Sequence, residues 1–176
     1  MSRFTKRASL AALVALAALA LAVAAPARAS APVGFSFHAS NITGISTGSA
    51  FLTGGGAFDP AGATAHAGGG FRCTNAIAGA PFAGCLAGQG VRWDTTEVLP
   101  STLFKCTAAE TPRAISTDSQ TVVLAADFYR AGDGNDESFT AQMIVSETDL
   151  APDIPGVQNV WVQGVGCGSA IVHFSD

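Results

Sequence analysis

From residue 30 onward, no stretch repeats apolar residues at the three-to-four spacing of a helix. Short runs of Val, Ile, Phe and Thr alternate instead with clusters of Gly, Pro, Asp, Asn and Ser, at intervals of about ten residues. A chain punctuated this way buries its core with strands. It predicts an all-β single domain over residues 30–176, either an antiparallel β-sandwich or a small β-barrel of about 8–9 strands. Strands are expected over 34–40, 49–58, 63–73, 90–99, 102–107, 120–130, 137–147, 157–166 and 169–174. The polar stretch 107–119 reads as a long loop or a single helical turn, and the two prolines in 149–155 keep that segment out of a strand.

Two hairpins carry enough pattern to predict a register. Pairing Phe128 with Phe139 also sets Ala126 on Ala141, Leu124 on Met143 and Val122 on Val145, so that one face is wholly apolar. The other face pairs Tyr129 with Ser138, Asp127 with Thr140, Ala125 with Gln142 and Val123 with Ile144, while Arg130 meets Glu137 at the base of the loop. A slip of one residue would invert a face, so the two strands specify each other. In the earlier hairpin, Asp59-Pro60-Ala61-Gly62 offers Asp, Pro and Gly at the first, second and fourth positions of a type I turn. That turn predicts Phe58 opposite Ala63 and Gly55 opposite His66, with the triple-glycine runs 54–56 and 68–70 at different heights. Glycine weakens a strand, and these runs are expected to mark a bend that helps close a barrel.

The first 29 residues read differently. Arg3, Lys6 and Arg7 precede an Ala/Leu/Val run over 8–25, and Ala27-Arg28-Ala29 follows as a small-x-small cleavage site. This is the pattern of a secretory signal peptide, Ala-rich in the bacterial manner, with cleavage before Ser30 and a secreted, extracellular product. No later segment is apolar enough to span a bilayer. Four of the nine basic residues belong to the leader and all thirteen acids follow it, leaving five cations against thirteen anions, a net −8. Such a surface argues against nucleic acid and anionic membrane as partners, leaving a small molecule or a protein.

All four cysteines, Cys73, Cys85, Cys106 and Cys167, follow the leader. An even count outside the cytoplasm predicts two disulfides, and the absence of a C-x-x-C pair argues against zinc and thioredoxin chemistry. Three connectivities satisfy the count. The preferred one joins Cys73 with Cys85, closing a local Gly/Ala/Pro loop, and Cys106 with Cys167, tying mid-chain to the last strand.

Few residues carry chemistry. Gly44-Ile45-Ser46-Thr47-Gly48 has the letters of a nucleophile elbow, but a β-type run follows where that motif needs a helix. His38, His66 and His173 are isolated on expected strands, a pattern of structural residues rather than zinc ligands. Asp133, Asn135, Asp136 and Glu137 place hard oxygen donors within five residues of a glycine-rich turn, a candidate calcium site. Calcium is the cofactor such a loop would hold, and the plainer expectation is a solvated acidic loop with none. Trp93, Tyr129 and Trp161 are candidates for a ligand platform, with Asp127, Thr140 and Gln142 as polar partners. No nucleophile, acid and base are grouped by spacing. The expected function is therefore a secreted non-catalytic β domain that binds a small molecule or extracellular component or serves a structural role. The alternatives are an inhibitor or protein-interaction module with a disulfide-stiffened loop, and a small barrel enzyme of isomerase or cyclase type.

Overall fold

In the strand Val33–Gly44 (β1), Val33, Phe35, Phe37 and Ala39 are buried while the residues between them are half-buried or exposed. This alternation gives the strand one apolar face, and the same device repeats around the molecule. The computed structural model describes residues 31–61, 64–130 and 137–175, without the side chain of residue 137. The strands that follow are Ser49–Asp59 (β2), Thr64–Asn75 (β3), Arg92–Leu99 (β4), Ser101–Phe104 (β5), Arg113–Ser116 (β6), Thr121–Arg130 (β7) and Glu137–Ser146 (β8). The last three are Val160–Val162 (β9), Gly166–Gly168 (β10) and Ala170–Ser175 (β11). No helix occurs among the described residues, and none is therefore long and apolar enough to cross a membrane.

Neighbours follow the order β10-β9-β8-β7-β4-β3-β2-β1-β11, and β10 also pairs with β1. Eight strands, β1 to β4 and β7 to β10, thus close into an antiparallel barrel, the second of the two architectures expected. Register shifts between Ala39 and Ile42 in β1 and between Thr95 and Glu97 in β4 mark bulges that bend the wall. β11 continues along β1 past the end of β10. Its outer edge is capped by side chains: Asn159 Oδ1 accepts from Ala170 N (2.7 Å), Asn159 Nδ2 donates to Ala170 O (3.0 Å), and Glu147 Oε1 accepts from Phe174 N (2.9 Å). Side chains that occupy edge donors and acceptors discourage pairing with another chain.

Rings fill the lumen. Phe71, Phe82, Phe128 and Phe139 pack together at one end with centroids 4.6 to 6.5 Å apart. Phe35, Phe58 and Phe174 do so toward the other end, and Phe37 meets Trp93 between them (6.0 Å). Phe82 comes from the loop closed by Cys73–Cys85 and is fully buried, so that disulfide holds a plug in the barrel mouth. Truncating a ring in such a core costs about 3–5 kcal/mol. A second apolar cluster lies outside the wall, where the β5–β6 hairpin covers Val123, Ile144 and Trp161 with Phe104. Cys106–Cys167 ties the chain just after β5 to β10. Both disulfides have the preferred pairing; in the loop-entropy view they contribute about 3 and about 4 kcal/mol, the longer loop more.

The β7–β8 register is the expected one at all nine predicted pairs, from Val122 with Val145 to Arg130 with Glu137, and extends to Thr121 with Ser146. The β2–β3 register is not: Phe58 lies opposite Ala65 and Gly55 opposite Gly68, two residues from the expected pairing. The last pair is Asp59 with Thr64, and Asp59 Oδ1 accepts from Ala61 N at 2.9 Å. A two-residue shift leaves every side chain on its original face, so apolar alternation cannot distinguish the registers. The glycine runs consequently meet, Gly54 opposite Gly69 and Gly55 opposite Gly68. At Gly54 the missing side chain permits close approach: a Cβ there would lie 2.4 Å from Trp93 Cζ2. The stretch expected to be wholly loop or helical turn contains β6, which pairs with β5 from Ser101–Ser116 to Phe104–Arg113.

Candidate binding site on the outer wall

Because inward positions are consumed by the lumen, any groove on the wall is built from outward positions. On β1, β2 and β3 these include Ser40, Phe51, Gly70, Arg72 and Thr74, which with Phe71, Gly90 and Val91 line a groove of about 640 Å³. Phe51 and Arg72 are directly opposite in the β2–β3 register. The Phe51 ring is half-buried and meets His38 edge-on at 5.2 Å. Gly70 lacks a side chain between Thr53 on β2 and Arg92 on β4, which opens the floor. Val91, 48% exposed, forms an apolar rim where the chain enters β4. Thr74 Oγ1 is bonded to Ser49 Oγ (2.7 Å). The lining mixes apolar and polar groups, and the volume is large enough to admit a small molecule.

A second groove, about 310 Å³, runs between the β5–β6 hairpin and the wall and is lined by Leu103, Phe104, Lys105, Pro112, Gln142 and Trp161 among others. Trp161 is 4% exposed, donates from Nε1 to Lys105 O (2.9 Å) and packs against Phe104. Gln142 accepts a short hydrogen bond from Thr102 Oγ1. The hairpin is held by Arg113, which bridges Glu110 (3.1 Å) and Asp153 (2.7 Å) and lies over the Phe104 ring. Burial works to raise the Glu110 carboxyl's pKa. The Cys106 N–H, the Arg113 guanidinium and the Thr107 hydroxyl outweigh it and leave Glu110 below its ordinary value. The Arg113 hydrogen bond likewise holds Asp153 low.

The six platform residues expected from sequence divide among three places. Trp93 is inside the barrel, fully buried, with Nε1 donating to Thr53 O at 3.0 Å. Tyr129, Asp127 and Thr140 share an outward stripe of β7 and β8. There Thr140 Oγ1 donates to Asp127 Oδ1 (2.7 Å), and the Arg92 guanidinium stacks 4.5 Å from the Tyr129 centroid. Gln142 and Trp161 come together in the 310 Å³ groove. Of the calcium candidates, Asp133, Asn135, Asp136 and the Glu137 side chain lie outside the described residues. Among the described residues no group of three His, Cys, Asp or Glu is placed to hold a metal ion, and His38, His66 and His173 occupy separate outward positions.

The larger groove went unread in the sequence because Ser40, Phe51, Arg72 and Val91 are single residues from different strands with no shared spacing. The available signal was Phe51, an aromatic at an outward position of an expected strand. A scan against family models and searches of curated proteins and of solved structures find no match to this chain.

Proposed function

We propose that this protein is a secreted, non-catalytic β-barrel that binds a small molecule from its extracellular surroundings on the outside of the barrel wall. The observation that carries this reading is the pairing of a lumen filled with rings and a 640 Å³ outer groove with an aromatic floor. Catalysis calls for two titratable side chains converging in a pocket, and the described lining of this groove offers Arg72 alone. Two disulfides and the leader-like first 29 residues support an oxidising, extracellular setting.

Native mass spectrometry of the protein taken from its own culture medium tests the reading. The expected species begins at Ser30, is four hydrogens light, and carries additional organic mass that unfolding releases. A bare chain whose melting temperature no fraction of the medium raises contradicts it.

One observation favours the interaction-module reading as an alternative. Leu86, 57% exposed, stands at a turn directly after Cys85, held by Gln89 N to Leu86 O (3.0 Å) and Leu86 N to Gln89 Oε1 (2.8 Å). A rigid apolar tip of this kind suits insertion into a partner's pocket. That reading predicts a protein partner lost on Leu86→Ser with the groove ligand retained.

A further inference from the structure

Five cations follow the leader: Arg72, Arg92, Lys105, Arg113 and Arg130. Arg92 is paired with Asp94 (3.2 Å), Arg113 with Glu110 and Asp153, and Lys105 donates to Ala108 O (2.9 Å). Arg130 is also engaged. Arg72, exposed on the wall, has neither an ion-pair nor a hydrogen-bond partner among the described residues. It stands opposite Phe51, whose ring it does not cover, and two residues along β3 from the bare floor at Gly70. Arg92 faces Gly70 from the neighbouring strand. Two of five cations therefore adjoin one groove on a surface whose acids outnumber its bases by eight.

We propose that this groove takes a small organic monocarboxylate with an apolar ring or chain, its carboxylate on Arg72 and its body against Phe51 and Val91. The inference rests on the binding reading above and names its ligand class. A guanidinium presents a planar pair of donors that matches a carboxylate, and an unpaired one has no internal partner to give up when the ligand arrives. The ring and the Val91 rim supply apolar area that a bare inorganic anion would leave unused. Elsewhere the excess of acids repels anions, so the groove is distinguished by sign as well as by shape.

The test compares phenylacetate, its neutral analogue phenylacetamide, hexanoate and inorganic phosphate. Affinity is read by calorimetry and position by amide shifts at Phe51, Gly70, Arg72, Thr74 and Val91. Phenylacetate and hexanoate are expected to move these amides, with phenylacetamide at least tenfold weaker than phenylacetate and phosphate without effect. Arg72→Gln is expected to abolish the preference for acid over amide, and Phe51→Ser to weaken both, with melting temperatures close to that of the parent. Equal binding of acid and amide, unchanged in Arg72→Gln, overturns the carboxylate assignment and leaves the groove a binding site. Phosphate acting as strongly as phenylacetate overturns the apolar half of the proposal. Silence of the groove amides to every probe overturns both the ligand class and the site.

Discussion

At the residue scale, the contact of Trp93 with Gly54 shows how a single missing side chain shapes the lumen. The indole occupies the space a Cβ on residue 54 would need, and the Gly68 carbonyl lies only 2.6 Å from the same point. Gly54→Ala is expected to cost about 1–3 kcal/mol through overpacking. In a Trp93→Phe background the cost should fall by at least ~0.5 kcal/mol, because the ring atom at closest approach is gone. Equal costs in the two backgrounds, measured by denaturant unfolding, would contradict the contact. Neither partner announces this role in sequence. Trp93 and Val98 both point inward although five residues apart, because the bulge between Thr95 and Glu97 switches the parity of β4. Simple alternation therefore cannot place the tryptophan, and its apparent fellowship with Tyr129 dissolves at the wall.

At the scale of elements, the β5–β6 hairpin depends on a small charged clamp, and that makes its docking sensitive to acid. Glu110 has a folded pKa below its ordinary value, so its stabilisation is present above the unfolded pKa and is lost as pH falls through the folded one. Asp153 acts in the same direction. Glu110→Gln is expected to cost about 1.5–3 kcal/mol at neutral pH, the range for hydrogen bonds to a charged group. The gap from the parent should close as pH falls from the ordinary carboxylate range through the lower folded value of Glu110. A gap that stays constant from neutral to acid pH, in melting temperatures measured on both proteins, would contradict the clamp. The contrast among hairpins explains what was legible. In β7–β8, apolar side chains match along one face, and nine of the ten pairs follow from sequence. In β2–β3, the glycine runs provide no side chains to match, so a shift of two residues is silent. β6 offers only Arg113–Ser116, four residues covering one patch of wall, too short for a periodic signal.

Over the whole molecule, rings fill the barrel, and the proposal that follows from this places recognition on the outer surface. The fold class and the number of disulfides were legible because patterning and cysteine count act along the chain, whereas the sequence left three pairings open and the preferred one is the one formed. Closure into a barrel rather than a sandwich was not, since it rests on the contact of β10 with β1, only Thr43 with Cys167 and Gly44 with Gly166. The groove was equally hidden, because Ser40, Phe51, Arg72 and Val91 come together only through the pairing of β1, β2 and β3 and the entry to β4. The sequence supplies a direct reporter of the distinction: Met143 is the single methionine after residue 1 and is fully buried among the lumen residues. The decisive measurement is a spectrum of the protein carrying a ¹³C-methyl label at Met143 and ¹⁵N amides, recorded as phenylacetate is added. The account predicts that the amides of Phe51, Gly70, Arg72 and Val91 move while the Met143 methyl signal stays in place. Movement of the Met143 methyl with the groove amides unchanged would show that ligand enters the barrel and would contradict it.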